Sequence, residues 1–439
     1  MSVVSQAILL GFSNSSATSE AYWYATIGNA SSNKGYDVIV DSSKNVYLAG
    51  STYPDHSIIV KYDANGSLQW QRTITADEAE ITNLGLDGSD NIYVVGDTES
   101  NSQGGRDFYI VKLNSSGTSQ WQRGLGASGS EEAIGHIATD SSGNTYGCGY
   151  ADAADEMFLF KYNSSGTFQW QRKLGPSTDQ AFHNDIALDS SGNAYAAGEA
   201  DLGTANESGL TLVKYNSSGT LQWKKSLQGS SNREDGAGVA VDSSSNVYVC
   251  GSTQSAGAGS NDILLVKYND SGAVQWKRAL GGTGNDRGTG VAVDSSGNVY
   301  ICGYGDGGHS SDYMIIAKFD SSGSLQWERT IKSTLNQTSK EYRAERIRVD
   351  GSNNLYVAGR TKAEGQGSDD LFVIKLPNDG SLTGTHGSFT YAASSFTLTT
   401  SFSLSAANLG LSGSNGNLTD YAQNLTVSTS SFTSATTSL

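Results

Sequence analysis

Tryptophan recurs through this chain at nearly even intervals of about 50 residues. Each of the last six tryptophans follows a Gln inside a near-copy of Lys-Tyr-Asn-Ser-Ser-Gly-Thr-x-Gln-Trp-Gln-Arg. The seven are Trp23, Trp70, Trp121, Trp170, Trp223, Trp276 and Trp327. A chain with such a period folds as a row of similar units, because one short unit cannot bury its apolar face alone.

A second motif, Asp-x-Ser-x-Asn, occurs once in every unit. Its first residues are Asp41, Asp87, Asp140, Asp189, Asp242, Asp294 and Asp350. An Asp can accept backbone N–H groups two residues on, and the Gly or Asn that follows tolerates the turn backbone of a tight hairpin. Each motif offers a single carboxylate and lacks the distal Glu of a calcium loop. We therefore interpret these residues as hairpin turns.

The rest of each unit adds two more strands. An apolar strand ending in Lys leads through an Asn/Asp-x-x-Gly turn to the strand that carries Gln-Trp. Four short strands in about 50 residues predict one blade of a β-propeller. Seven units predict an all-β, seven-bladed propeller over residues 21–385. The cysteines Cys148, Cys250 and Cys302 share one small-residue position, so we expect buried thiols and no disulfide.

The seventh unit lacks its tryptophan strand. Residues 22–28, which include Trp23, align with the Gln-Trp strand of the other units. We therefore expect the N-terminal strand to complete the seventh blade and to close the ring like Velcro, which removes open sheet edges. Residues 1–20 are then predicted to be an N-terminal anchoring segment.

Residues 386–439 form a Ser/Thr-rich tail with no Lys or Arg and a single acid. Large apolar residues recur every seven positions at Leu418, Leu425, Phe432 and Leu439, and again at Phe389 and Phe396. One such residue in seven cannot form a core of its own. The tail is either disordered or ordered by packing against copies of itself or another protein. We favour the second alternative, a β or extended assembly tail.

Composition and motifs exclude several functions. The formal charge of −16 disfavours binding to nucleic acid, and no segment has the length needed to span a membrane. We find no convincing signal peptide, nucleophile elbow, phosphate loop or metal-ligand spacing. We expect no enzyme activity, no cofactor and no metal site. His136 and His183 fall in the inner strands of blades three and four, near the expected central channel, where a structural role is favoured.

The loops that differ between units are the candidate binding surface, because binding residues concentrate on loops held by a rigid scaffold. They join the second strand to the third, or one blade to the next. Our candidate receptor-loop residues are Asp201, Asn206, Asp306, His309 and Glu364.

Residues 290–303 (Gly-Val-Ala-Val-Asp-Ser-Ser-Gly-Asn-Val-Tyr-Ile-Cys-Gly) and 265–276 (Leu-Val-Lys-Tyr-Asn-Asp-Ser-Gly-Ala-Val-Gln-Trp) resemble the seven-bladed β-propeller repeat called SBBP. The resemblance covers about residues 21–385 and implies a fold, without an activity. The tail, after its Leu-Pro-Asn-Asp-Gly-Ser-Leu-Thr-Gly-Thr junction, resembles the ends of propeller proteins in tailed bacteriophages of marine bacteria.

This second resemblance implies a non-enzymatic virion protein, a phage tail fibre or tail-associated adhesin, extracellular after release from the host. Its expected partners are other tail proteins, a second copy through the tail, and a host-surface glycan or protein. A decorative or joining virion protein without a receptor is an alternative. A further alternative is a quinoprotein-like enzyme, because residues 63–70 are similar to the blade motif of those dehydrogenases. The secretion signal and cofactor ligands of that family are not found here.

Overall fold

The computed structural model of this chain describes most of the propeller and the strands of the tail. The described residues are 20–28, 32–52, 56–75, 79–99, 105–126, 132–151, 156–175, 181–201, 208–229, 233–306, 312–334, 341–363, 368–394, 396–403, 405–408, 412–415, 419–422, 426–429 and 433–438. Every regular element among them is a β-strand. None is a helix long and apolar enough to cross a membrane.

Seven antiparallel sheets form the seven blades. Blades 1 to 3 contain β2 (Asn33–Val40), β3 (Val46–Thr52), β4 (His56–Tyr62), β5 (Leu68–Thr75); β6 (Glu80–Leu86), β7 (Ile92–Thr98), β8 (Asp107–Leu113), β9 (Ser119–Gly126); and β10 (Glu132–Thr139), β11 (Thr145–Ala151), β12 (Glu156–Tyr162), β13 (Phe168–Gly175). Blades 4 to 6 contain β14 (Ala181–Leu188), β15 (Ala194–Asp201), β16 (Ser208–Tyr215), β17 (Leu221–Gln228); β18 (Glu234–Val241), β19 (Val247–Thr253), β20 (Asp262–Tyr268), β21 (Val274–Gly281); and β22 (Asp286–Val293), β23 (Val299–Gly305), β24 (Tyr313–Phe319), β25 (Leu325–Ser333). Blade 7 contains β26 (Tyr342–Val349), β27 (Leu355–Thr361), β28 (Asp370–Leu376) and β1 (Trp23–Gly28).

The first strand of each blade is its inner strand, and inner strands of neighbouring blades lie against one another around the axis. The turns after the first and third strands share one face of the disc, which we call the turn face. The connections after the second and fourth strands share the opposite face, the loop face. Both sets of variable loops therefore lie on the loop face, and the predicted seven-bladed propeller is confirmed.

The N-terminal strand closes the ring as the sequence predicted. Strand β1 pairs with β28 with Trp23 opposite Lys375, the register in which Trp70 stands opposite Lys61 in blade 1. The indole Nε1 of Trp23 donates to the carbonyl of Ala64 in blade 1 at 3.2 Å. The last blade is thereby tied to the first.

The tail forms a belt of strands around the outer edge of the propeller. Its strands are β29 (Gly384–His386), β30 (Phe389–Ala393), β31 (Thr397–Thr399), β32 (Ser405–Asn408), β33 (Ser412–Asn415), β34 (Thr419–Ala422), β35 (Thr426–Thr429) and β36 (Thr433–Ser438). Strands β30 to β36 pair in turn with the fourth strands of blades 6, 5, 4, 3, 2, 1 and 7. Each blade so gains a fifth strand, and β29 extends the sheet of blade 6 to six.

The sequence argument that the apolar residues of the tail have no core within their own chain is wrong. It assumed that each apolar residue needed a core built by the tail itself, whereas the propeller supplies that core. Phe389 and Tyr391 are buried in the cluster formed by blades 6 and 7, and Phe396 packs partly buried against the next cluster. Leu418, Leu425, Phe432 and Leu439 lie outside the described residues.

The seven-residue period of the tail corresponds to one step between blades. Strands β32, β33, β34, β35 and β36 begin at residues 405, 412, 419, 426 and 433. Four residues or more pair with a blade, and the remainder of each heptad carries the chain to the next. In a helical chain a seven-residue period of apolar residues suggests a coiled coil. In this tail, whose Ser and Thr residues disfavour a helix, the same period matches the spacing between blades.

A chain ending at Thr385 should associate with itself, because seven outer strands lose their partners and open edges pair with other chains. Light scattering of the full chain, this truncation and a chain ending at Ala393 gives the test. The longer truncation keeps β29 and β30 over the blade 6 and 7 cluster. If both truncated chains associate, the open edges of the blades are the cause. A Thr385 truncation that is monomeric and as heat-stable as the full chain would contradict the idea that the belt protects these edges.

Candidate functional site

The seven turn-face aspartates each hold a hairpin together. In blade 6, Asp294 accepts the backbone N–H groups of Ser296 and Asn298 at 2.9 Å, the Asn298 amide at 2.8 Å and the Tyr300 hydroxyl at 3.0 Å. Burial raises the pKa of Asp294, but these hydrogen bonds outweigh it and leave the pKa below its ordinary value. The carboxylate is thereby committed to its own turn.

The tryptophans and the following cations connect neighbouring blades on the same face. Trp70 donates its indole N–H to the carbonyl of Ser115 in blade 2 at 3.3 Å, and Arg72 donates to the carbonyls of Gly117 and Ser116. The guanidinium also lies 5.1 Å from the centre of the Trp70 ring. The indoles of Trp121, Trp170, Trp223, Trp276 and Trp327 make the equivalent bond to the next blade.

The lysines that end the third strands also have structural partners. Lys112 lies 4.8 Å above the Tyr93 ring and 3.2 Å from the Asp87 carboxylate. Acids five residues earlier in the strand, such as Asp107, lie near the loop face, because five residues of extended strand separate them from the lysine. The repeated residues of the turn face therefore serve the framework.

Replacing Asp294 with Ala should lower the free energy of unfolding by about 1–3 kcal/mol, since buried donors lose their acceptor. Asp320→Ala is the matched control. Asp320 accepts the same kind of turn N–H groups, but in a solvent-exposed turn, where water can replace it. Urea unfolding of both variants measures the difference, and equal losses would contradict the buried role of Asp294.

The candidate receptor-loop residues lie on the loop face where the structure describes them. Asp306 follows β23, and its carboxylate accepts the backbone N–H of Asn285 at 3.0 Å. Asp201 ends β15, with its backbone paired to Ser208. Asn206, His309 and Glu364 lie outside the described residues. The structure thus brings Asp306 against the connection between blades 5 and 6, and it leaves the grouping of the five open.

A pocket of about 390 Å³ opens at the propeller axis. In every blade a β-bulge interrupts the pairing of the inner strand with the second strand, and the seven bulges lie at the same level along the axis. The extra residue of each bulge lines the pocket: Tyr36, Thr82, Gly135, Asn184, Ala237, Thr289 and Glu345. His136, Arg346, Arg287 and Tyr304 complete the lining. Since the bulges lie toward the starts of the inner strands, the pocket belongs to the loop-face half of the disc.

The residue after each bulge forms the floor of the pocket. Arg346 of blade 7 spans the axis and donates to the carboxylate of Asp185 in blade 4 at 3.1 Å. Its guanidinium contacts the His136 ring of blade 3 and lies 3.8 Å from the Asp37 carboxylate of blade 1. Only 1% of Arg346 is exposed, so this cation is held by protein partners.

The same floor residues join inner strands that share no ladder of hydrogen bonds. Asp37 accepts the backbone N–H of Leu84 in blade 2 at 3.0 Å, and Asp185 accepts that of Val239 in blade 5 at 2.8 Å. Asn83 likewise accepts the N–H of Ile137 at 2.9 Å. Buried backbone donors at the inner edge are satisfied in this way.

Burial and charge set the protonation of the floor. The Arg346 guanidinium and the His136 hydrogen bond hold the pKa of Asp185 well below its usual range, against the effect of burial. Burial and the charge of Arg346 lower the pKa of His136, although Asp185 and Asp37 oppose them. Burial raises the pKa of Glu345 in the pocket wall. The floor therefore combines an ionised acid, a cation and a neutral imidazole.

Sequence reasoning placed His136 near the axis but missed the pocket. The signal was present: the bulge position and the next one vary between units, whereas the residue that follows is always Val, Leu or Ile. The side chain of His183 is outside the described residues, so its expected proximity to His136 stays a prediction. Among the described residues, no group of three or more His, Cys, Asp or Glu could hold a metal ion.

Acidification should destabilise the protein partly through His136. Its folded pKa is lowered, so below the ordinary value of about 6.5 the unfolded chain takes up a proton that the folded chain resists. The stability is present above pH 6.5 and is lost as the pH falls, by at most about 1.4 kcal/mol per pH unit. Urea unfolding at pH 7 and pH 5 should therefore show a smaller drop for His136→Asn than for the unaltered chain.

His386→Asn is the control for that measurement, because His386 lies in β29 at the outer belt and makes its hydrogen bond to the Leu382 carbonyl. An unchanged pH dependence in His136→Asn, or an equal change in both variants, would contradict the assignment to the axial histidine.

Comparison with known proteins supports the repeat and gives no activity. The β-propeller repeat SBBP matches residues 222–257 and 275–309, and a β-propeller domain of unknown function (DUF5122) matches residues 88–119. The regulatory protein FlaEY of Caulobacter vibrioides is 29% identical over 126 residues, which cover 25% of this chain and 12% of FlaEY. The chain thus spans about an eighth of that relative.

Two solved structures are similar at low identity. A gluconolactonase from Xanthomonas campestris is 15% identical, with a TM-score of 0.35, over 66% of this chain and 92% of the other. A protein of unknown function from Dyadobacter fermentans is 11% identical, with a TM-score of 0.46, over 81% and 98%. The chain therefore carries SBBP β-propeller repeats, and its function must be argued from its own site.

Proposed function

We propose that this protein is a non-enzymatic adhesin whose loop face engages a host-surface glycan or protein. The observation that carries this proposal is the difference between the two faces. The turn face consists of seven near-identical turns whose Asp, Trp, Lys and Arg side chains bond to the framework. The loop face carries both sets of variable connections and the axial pocket.

The ends of the two terminal strands support an anchoring role for the opposite face. Strand β1 runs from Trp23 near the turn face toward the loop face, and β36 runs antiparallel beside it, with Ser438 opposite Trp23. Glu20 lies at the same end, 2.7 Å from the Lys44 ammonium and 3.3 Å from that of Lys375. Attachment through residues 1–20 would direct the loop face outward.

The finer part of the proposal is a tail fibre or tail-associated protein of a bacteriophage virion. It rests on the sequence resemblance of residues 386–439 to phage propeller proteins and on this polarity of the disc. Many copies on one particle would multiply a weak affinity of each single site. Self-association through the tail remains a prediction, now of strand exchange between belts, and the solution mass of the full chain tests it.

Shortening the loops should abolish attachment without unfolding the disc. We would delete residues 202–207 in one variant and 307–311 in a second, join each gap with two glycines, and measure binding of labelled protein to a panel of marine bacterial isolates. At least one deletion should reduce binding tenfold or more, because the variable loops provide the contacts.

The matched control deletes nothing and replaces the exposed turn-face residue Gln169 with Ala. Circular dichroism and melting temperature verify the fold of every variant. If the unaltered protein binds none of the isolates, or if both loop deletions bind as it does, the receptor hypothesis fails. The joining virion protein without a receptor would then be the better account.

A further inference from the structure

The axial pocket carries an inference that rests on the proposed adhesin function and specifies its ligand. We propose that this pocket binds a neutral, polyhydroxylated sugar unit, with the Glu345 carboxylate as a hydrogen-bond acceptor. The lining residues named above, from Tyr36 to Arg346, belong to the described part of the chain. Its position on the axis lets a sugar that enters between the loops contact all seven inner strands.

The pocket is built by a repeated backbone device and then varied in its side chains. A bulge interrupts the ladder and redirects a side chain, and such bulges concentrate near functional sites. Here seven bulges at one level place residues of six different types around one point. Tyr36, Asn184 and Thr289 also bond to the framework.

Glu345 is the residue that most clearly lacks a structural role. Its carboxylate lines the pocket, it is half-buried, and no hydrogen bond joins it to any other described residue. Partial burial raises the pKa of this carboxyl, so a donor supplied by a ligand would stabilise its charged form. Four arginines act on it through their charge: Arg360, Arg343, Arg346 and Arg287. The last three each make an ion pair with another acid. A ligand hydroxyl would supply the missing donor.

The other side chains select against charged and apolar ligands. Arg287 at the rim pairs with Asp235 at 3.2 Å yet stays 47% exposed, so it can also donate to a ligand. The lining carries both signs of charge, in the Glu345 carboxylate and the two arginines Arg287 and Arg346, and this mixture disfavours strong anions and cations alike. The Tyr304 ring, with Arg343 4.8 Å from its centre, offers an apolar surface for the carbon face of a sugar.

Hydroxyl groups complete the match. Thr289 donates to the carbonyl of Ala344 at 2.9 Å, so its hydroxyl oxygen keeps lone pairs that can accept from a ligand. Tyr36 donates to Glu80 and accepts from Ser51 at 3.4 Å, which leaves it one acceptor position. A volume of about 390 Å³ lies at the small end of ligand pockets, which span roughly 300–1,000 Å³. These features fit one sugar unit better than a flat apolar ligand or a metal ion.

Saturation-transfer NMR on the full chain tests the proposal. The probes are glucose, galactose, mannose, N-acetylglucosamine and N-acetylgalactosamine, with glucuronic acid and glucosamine as charged counterparts. At least one neutral sugar should bind, and more tightly than both charged probes. Glu345→Gln should weaken it tenfold or more, which corresponds to about 1.4 kcal/mol, because the charged acceptor is lost.

A second variant makes the test independent of Glu345. Ala237→Phe adds a ring at the pocket wall from blade 5, outside the ion-paired floor, and should abolish binding. Ala273→Phe adds the same ring at an exposed alanine on the turn face and should leave binding unchanged. Melting temperatures verify that each variant is folded.

The outcomes separate this inference from the adhesin proposal. Absence of binding by every neutral sugar, or binding that survives both pocket variants, overturns the sugar subsite even if the loop deletions abolish attachment to cells. Tighter binding of a charged probe overturns the claim of neutrality. If the protein attaches to no cell but binds a sugar, and the pocket variants abolish that binding, the sugar subsite is supported and the adhesin proposal is rejected.

Discussion

Every sheet in this molecule has two edges of backbone N–H and C=O groups that need partners, and the architecture follows from how those edges are satisfied. At the outer edge the tail adds one strand to each blade. At the inner edge Asp37, Asn83 and Asp185 accept N–H groups from the next blade. Where the floor residue is Gly238 or Gly290, the strands approach directly, and a Cβ on Gly238 would lie only 3.1 Å from the Gly290 Cα. Open edges invite unspecific association with other chains, and both solutions remove such edges.

The division of labour between the faces has the same origin. The turn after the first strand must reverse the chain tightly in every blade, and the second turn must present carbonyls to the Trp and Arg of the preceding blade. Changing one residue there disturbs two blades. On the loop face, the described residues share one backbone hydrogen bond at three blade junctions, from the N–H groups of Asn33, Asp286 and Tyr342 to the carbonyls of Asp369, Asn261 and Asp312. The connections around this bond differ in length and sequence. Sequence variation therefore accumulates on the side of the disc that carries the proposed binding surface.

The sequence predicted those parts of the fold that repeat. Seven turn aspartates and seven tryptophans gave the blade number, and the unpaired Trp23 strand gave the closure, because each signal is local and occurs many times. The course of the tail could not be predicted in the same way. The sequence indicates that Phe389 and Phe396 are buried in an apolar core. Only the three-dimensional structure shows that this core lies in the same chain. The axial pocket was missed for a related reason: its residues are about 50 positions apart, and no local motif relates Tyr36 to Glu345.

The axial floor explains why the pocket can be polar without weakening the ring. Arg346 compensates the carboxylates of Asp185 and Asp37, and those carboxylates in turn bind backbone N–H groups of blades 5 and 2. Removing the cation would leave the buried Asp185 without its arginine, whereas Asp37 would keep its ion pair with Arg348 at 3.1 Å. The floor is therefore fixed by the needs of the framework. The bulge residues, one position earlier, do not take part in this charge compensation. Glu345 can therefore keep a carboxylate available for a ligand beside an arginine that is fully committed, and a ligand that satisfied it would add to the stability of the folded ring.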